Sequence, residues 1–104
     1  MVKRSREAPD AAKERERLYR AVLSLRTVEE CEQFFRDLCT LYEIDALTER
    51  WHVARELHRG RSYRAVSRTT GASTTTVTRV AHWLRNGTGG YRVVLDRLMG
   101  KPSL

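Results

Sequence analysis

The stretch Ser62-Tyr63-Arg64-Ala65-Val66-Ser67-Arg68-Thr69-Thr70-Gly71-Ala72-Ser73-Thr74-Thr75-Thr76-Val77-Thr78-Arg79-Val80-Ala81-His82-Trp83-Leu84-Arg85 decides the fold. Residues 62–70 predict a short helix, Gly71-Ala72 a turn, and Ser73 an N-cap for a second helix that reaches about Arg85. Gly71 can take positive φ at the corner, Ser67 is small where two helices must approach, and Val66, Ala72, Val77 and Val80 supply the apolar side. These are the constraints of a DNA-binding helix-turn-helix over about residues 62–86. A plain helical hairpin would account for Gly71 and the apolar side equally well. It would not account for the opposite face, where Ser73, Thr74, Thr75, Thr76 and Thr78 are poor helix formers crowded into one helix.

Hydroxyls, methyls and an arginine on such a face suit a duplex. Thr74, Thr75, Thr78 and Arg79 are expected to read base edges, with Arg79 able to fork onto guanine O6 and N7. Ser62, Arg64, Arg68, Ser73, Thr76 and Arg85 are expected to meet phosphates, through side chains or beside the free N–H groups of a helix start. Thr76 and Val77 turn toward the inner side of the second helix, which makes Thr76 a weaker base reader than its neighbours.

The charge agrees. The chain carries a formal +7, yet Arg59, Arg61, Arg64, Arg68, Arg79, Arg85 and Arg92 fall between Leu57 and Leu95 without one carboxylate, while the flanking segments nearly cancel. A helical stretch of that kind is not an ordinary solvated face of mixed signs, and it lacks acids for metal binding or acid–base work; it is suited to an anion. The length, 104 residues with 40% hydrophobic and 32% charged side chains, allows one small all-helical domain. Residues 1–12 are expected to form a mobile N-terminal arm and 13–104 the domain. No apolar run is long enough for a membrane span and the first residues are charged, so a cytoplasmic protein without a membrane partner is expected.

The remaining chemistry-bearing residues point away from catalysis. Cys31 and Cys39 stand eight apart with no Cys-x-x-Cys pair, and His52, His58 and His82 form no i, i+4 pair. No catalytic residue, metal site or cofactor is expected, and the chain is not expected to be an enzyme. Gly87-Thr88-Gly89-Gly90 lacks the strand and Gly-Lys-Ser/Thr ending of a phosphate loop and reads as a joint.

Upstream, Leu18, Val22 and Leu25 predict a first amphipathic helix from about Ala11 to Arg26. Thr27-Val28-Glu29-Glu30 has capping-box spacing and opens a second helix with Val28, Cys31, Phe34, Phe35 and Leu38 on one side. Thr40-Leu41-Tyr42-Glu43 repeats the spacing before a third helix of about 18 residues, with Ile44, Leu47, Trp51, Ala54 and Leu57 on its apolar side and Gly60 past its end. Trp51 and Trp83 both lie on apolar sides, so core packing is expected of each in preference to stacking on bases.

The run Gly71 to Val80, with Tyr63-Arg64 before it and Asn86-Gly87-Thr88-Gly89-Gly90-Tyr91 after it, resembles the Trp repressor-like YerC/YecD family. The likeness extends over about residues 18–95, through Phe35-Arg36-Asp37-Leu38-Cys39-Thr40, Glu43-Ile44-Asp45-Ala46-Leu47 and Arg50-Trp51-His52-Val53-Ala54-Arg55. It implies an all-α, six-helix chain that interlocks with a second copy into a homodimer bearing two helix-turn-helix heads. A last helix at about 90–99 would complete the shared core through Tyr91, Val94, Leu95 and Leu98. The implied function is a sequence-specific transcription regulator, a repressor, on a pseudo-palindromic site in double-stranded DNA.

In the Trp repressor two arginines clamp the corepressor, and Arg50 and Arg79 fall at the corresponding places. That repressor has a glycine after its second arginine; here the residue is Val80, and Trp51 adjoins Arg50. Val80 and Trp51 are therefore expected to fill the ligand space, leaving DNA binding independent of a small-molecule effector. Two alternatives remain open from the residues: a helical interaction module whose basic face binds RNA or an acidic protein, and an effector-gated repressor with an amino-acid-like ligand between Arg50 and Arg79.

Overall fold

The computed structural model describes residues 9–102 and contains six α-helices and no strand among them. The chain divides into two compact units, residues 1–40 and 41–104.

The first unit holds α1 (Pro9–Leu23) and α2 (Val28–Leu38). Helix α1 starts two residues ahead of the expected Ala11, because proline is tolerated in a first turn, where its missing N–H has no helical partner to lose. Of the expected arm, residues 1–8 lie outside the described residues and residues 9–12 are helical. Arg20 reaches back one turn to Glu16 at 2.6 Å and Arg17 pairs with Glu14, exposed pairs that add a few tenths of a kcal/mol each (~0.3). The helix stops at Leu23, three residues early, where the Ser24 hydroxyl donates to the Ala21 carbonyl at 2.6 Å and competes with helical continuation.

Thr27 caps α2 by accepting the Glu30 N–H at 3.0 Å. The return half of the box is displaced by one residue: Glu30 Oε1 accepts from the Arg26 N–H at 2.8 Å. No residue of α2 is buried within the chain, and Val28 is 79% exposed. The side carrying Val28 and Leu38 is thus apolar without being covered, while Cys31, Phe34 and Phe35 are half-buried, the two rings meeting edge to face at 5.9 Å.

The second unit holds α3 (Leu41–His58), α4 (Tyr63–Thr70), α5 (Thr74–Asn86) and α6 (Gly90–Met99). Helix α3 has the expected 18 residues and is followed by positive φ at Gly60. Its core unites Val53 and Ala54 of α3, Val66 of α4, Ala72 of the turn, Val77 and Val80 of α5 and Leu95 of α6, with Trp51, Leu57, Leu84, Tyr91 and Met99 packed around it. Each fully buried Val or Leu contributes about 1.5–3 kcal/mol of burial, which makes α3 the post on which the other three helices are hung. The buried His58 joins α3 to the end of α6, its Nε2 lying 2.8 Å from the Gly100 carbonyl. Within this unit Tyr91 and Leu95 pack inward as expected of α6, whereas Val94 and Leu98 remain exposed.

Candidate nucleic-acid interface

The corner between α4 and α5 is locked by short polar side chains. Ser62 caps α4 by accepting the Ala65 N–H at 3.2 Å. At the other end Gly71, with φ +77°, adopts the left-handed conformation and donates its N–H to the Ser67 carbonyl at 2.9 Å. Ser67 Oγ then donates to the Ala72 carbonyl at 2.6 Å, so Ser67 does more than leave room. Thr70 Oγ1 donates to the Val66 carbonyl at 2.8 Å and accepts the Ala72 N–H at 3.1 Å. Thr70 was not among the expected contributors; its signal was a hydroxyl one residue before the corner glycine.

Ser73 caps α5, accepting the Thr76 N–H at 3.1 Å and donating its own proton toward Thr76 Oγ1 at 3.2 Å. The hydroxyls of Ser62 and Ser73 are therefore engaged in capping. The donors at the start of α5 are instead the first-turn N–H groups of Thr74 and Thr75, which a helix leaves without intrahelical acceptors.

Helix α5 has two unlike sides. Val77, Val80 and Ala81 are buried, while Thr74, Thr75, Thr78 and Arg79 are exposed and Thr76 is half-buried. Thr74 and Thr78, like Thr75 and Arg79, are four apart and stand one above the other, forming two adjoining rows on the outer surface. On α4, Arg64 and Arg68 are exposed, four apart, and in no ion pair among the described residues. Arg85 closes the ensemble from the last turn of α5, where its Nη2 donates to the Tyr63 hydroxyl.

The basic field is narrower than a tally along the chain implies. Glu56, 97% buried with 3% exposure, pairs with Arg59, and Arg61 Nε lies 3.2 Å from its other oxygen, an ion pair by distance whose angle is not that of a hydrogen bond. Glu56 precedes the acid-free stretch by one residue, so it neutralises two arginines that look free in sequence.

Beside this face, a cavity of about 570 Å³ is lined by Glu49, Arg50, Thr76, Arg79, Val80 and Tyr91, among others. The expectation that Val80 and Trp51 fill this space is overturned. Val80 is buried in the core and forms part of the wall, and Trp51 turns to stack on Tyr91, ring centroids 6.5 Å apart and planes 10° from parallel. Trp83 also departs from expectation: it is 59% exposed at the cavity rim, because its neighbours Val80, Ala81 and Leu84 take the core side of α5. Arg79 occupies both settings, on the outer face and at the cavity wall.

No group of three or more His, Cys, Asp or Glu among the described residues could hold a metal, and none of their helices is long and apolar enough to cross a membrane.

The sequence pattern of the Trp repressor protein family matches residues 13–99, which include the core and the whole corner just described. The chain belongs to the Trp repressor family. It is 45% identical over 86 residues to the uncharacterized protein YerC of Bacillus subtilis (strain 168), a match that spans 83% of each chain. The crystal structure of a TrpR-like protein from Eubacterium eligens ATCC 27750 is similar at a TM-score of 0.78 and 41% identity, covering 85% of this chain and 91% of that one. A candidate Trp repressor from Staphylococcus aureus is similar at a TM-score of 0.81 and 37% identity, over 97% and 100% of the respective chains. Membership agrees with the all-α architecture, six helices and no strand among the described residues.

Proposed function

We propose that this chain is a sequence-specific, double-stranded DNA-binding transcription repressor that acts as a homodimer on a pseudo-palindromic site. The carrying observation is the two-sided α5, with Val77, Val80 and Ala81 buried and Thr74, Thr75, Thr78 and Arg79 turned outward beside Arg64, Arg68 and Arg85. In this reading the outer rows of α5 enter the major groove and read base edges, and the arginines of α4 and the end of α5 neutralise phosphates. Ser62, Ser73 and Thr76 support the phosphate contacts by fixing helix starts, the anion itself meeting backbone N–H groups.

Uncovered apolar side chains support the homodimer. Leu23, Val28 and Leu38 in the first unit, and Leu41, Tyr42 and Leu98 in the second, are each more than half exposed, and covering them would favour association. Two copies place two corners on one duplex, and half-sites about one helical turn apart follow from that symmetry. Selection of duplexes from a random pool tests the reading: an inverted repeat should be enriched. Retention of all sequences alike, or preferential retention of RNA, would favour the basic-module alternative.

The cavity favours a second reading, in which an effector gates the same repressor. Two guanidinium groups, Arg50 and Arg79, in a space walled by aromatic rings suit a small aromatic carboxylate, and Arg79 would connect its occupancy to the DNA-facing side of α5.

A further inference from the structure

Tyr63 is the first residue of α4 and Arg85 lies in the last turn of α5, 22 residues later, yet the Arg85 Nη2 donates to the Tyr63 hydroxyl. This contact joins the two far ends of the helix-turn-helix. It rests on the α4–α5 corner, which Ser67, Thr70 and Gly71 hold by hydrogen bonds within the chain. Tyr63 is itself 38% exposed and is not one of the residues packed on the core, so filling the core does not account for it.

We infer that Tyr63 is a positioning residue, whose hydroxyl holds the Arg85 guanidinium in the orientation that meets a DNA phosphate. The inference rests on the DNA-binding reading and assigns a role to a residue which that reading leaves unused. An arginine side chain loses much rotamer freedom when it docks, and a partner that restrains it beforehand removes part of that cost from binding. A guanidinium carries five N–H donors, of which the phenol oxygen takes one, leaving the others for the paired oxygens of a phosphate. The phenol O–H stays free to donate to the same anion. No carboxylate lies in residues 57–95 to compete for Arg85, and Arg85 forms no ion pair among the described residues.

The test combines Tyr63→Phe, Arg85→Ala and the double variant, each titrated with a duplex recovered from the random pool over a range of salt, together with relaxation of the Arg85 Nε–Hε signal in the free protein. Tyr63→Phe removes one exposed hydroxyl and retains the ring, so folding is not at issue. The expected results are a loss of affinity of about three- to tenfold for Tyr63→Phe, a salt slope lowered by about one per protomer for Arg85→Ala, and no further loss when Tyr63→Phe is added to Arg85→Ala. The Arg85 Nε–Hε vector should be restrained in the unmodified protein and mobile in Tyr63→Phe. Equal loss from Tyr63→Phe with and without Arg85, or unchanged affinity and unchanged Arg85 mobility, would overturn the positioning role while leaving DNA binding intact. Failure of the unmodified protein to bind any duplex would remove the DNA reading and the phosphate role of the pair together, whatever the relaxation shows.

Discussion

Trp51 lies parallel to Tyr91, with ring centroids 6.5 Å apart, and the pair fastens α6 to the middle of α3. Because both rings adjoin the core, removing either should cost about 2–4 kcal/mol of stability. The rings should also be coupled: in denaturant titrations of Trp51→Ala, Tyr91→Ala and the double variant, the losses should fall short of additivity by about 0.5–1.5 kcal/mol. Strict additivity would mean that the stack contributes nothing beyond area.

Gly71 isolates backbone conformation from packing. A Cβ built there meets nothing within 4 Å, so the penalty for Gly71→Ala comes from φ +77° alone. A loss of about 1–2 kcal/mol is expected, read as a lower denaturation midpoint at unchanged slope. A change of a few tenths (~0.3 kcal/mol) would show that the corner relaxes without cost.

Leu98 is 70% exposed on α6 and distinguishes a free surface from a covered one. Light scattering should give twice 12.1 kDa for the unmodified chain and a shift toward 12.1 kDa for Leu98→Asp. An exposed substitution in a monomer would change stability by no more than about 0.5 kcal/mol and leave the mass as it was.

The cavity predicts a ligand response that depends on its two guanidinium groups. Calorimetry with L-tryptophan as the probe should give a saturable heat that Arg50→Ala abolishes, and the liganded protein should hold DNA more tightly if Arg79 couples the two sides. Absence of heat in the unmodified protein would return the cavity to a structural gap.

How much could be read beforehand depended on whether the deciding partner was local. Ser62, Gly71 and Ser73 announce the two helices of the corner because caps and left-handed turns are settled within a few residues, and the structure has all three in those places. Thr27 and Glu30 were legible for the same reason, apart from the one-residue displacement of the carboxylate's acceptor contact. Trp83 departs from its expected place because periodicity marks a broad apolar side of α5 without saying where its edge falls, and Val80, Ala81 and Leu84 occupy the core side. The same limit hid the cavity: Val80 and Trp51 adjoin the two arginines in sequence, but only the tertiary partner Tyr91 determines which way Trp51 turns. Glu56 with Arg59 and Arg61 shows the converse case, in which burial of one acid decides whether nearby cations are available. For α2, the apolar side was legible and its covering was not: among the described residues Val28 and Leu38 stay exposed while Cys31, Phe34 and Phe35 are half-buried.

The most direct measurement is competition between a duplex recovered by selection and a scrambled duplex of the same length and composition, at one physiological salt concentration, for the unmodified protein and Arg79→Ala. Preference for the selected duplex by about 10³-fold or more is predicted, with Arg79→Ala losing roughly 1–3 kcal/mol on the selected duplex and much less on the scrambled one. Equal affinity for the two duplexes would contradict sequence reading by α5 and leave only a basic surface.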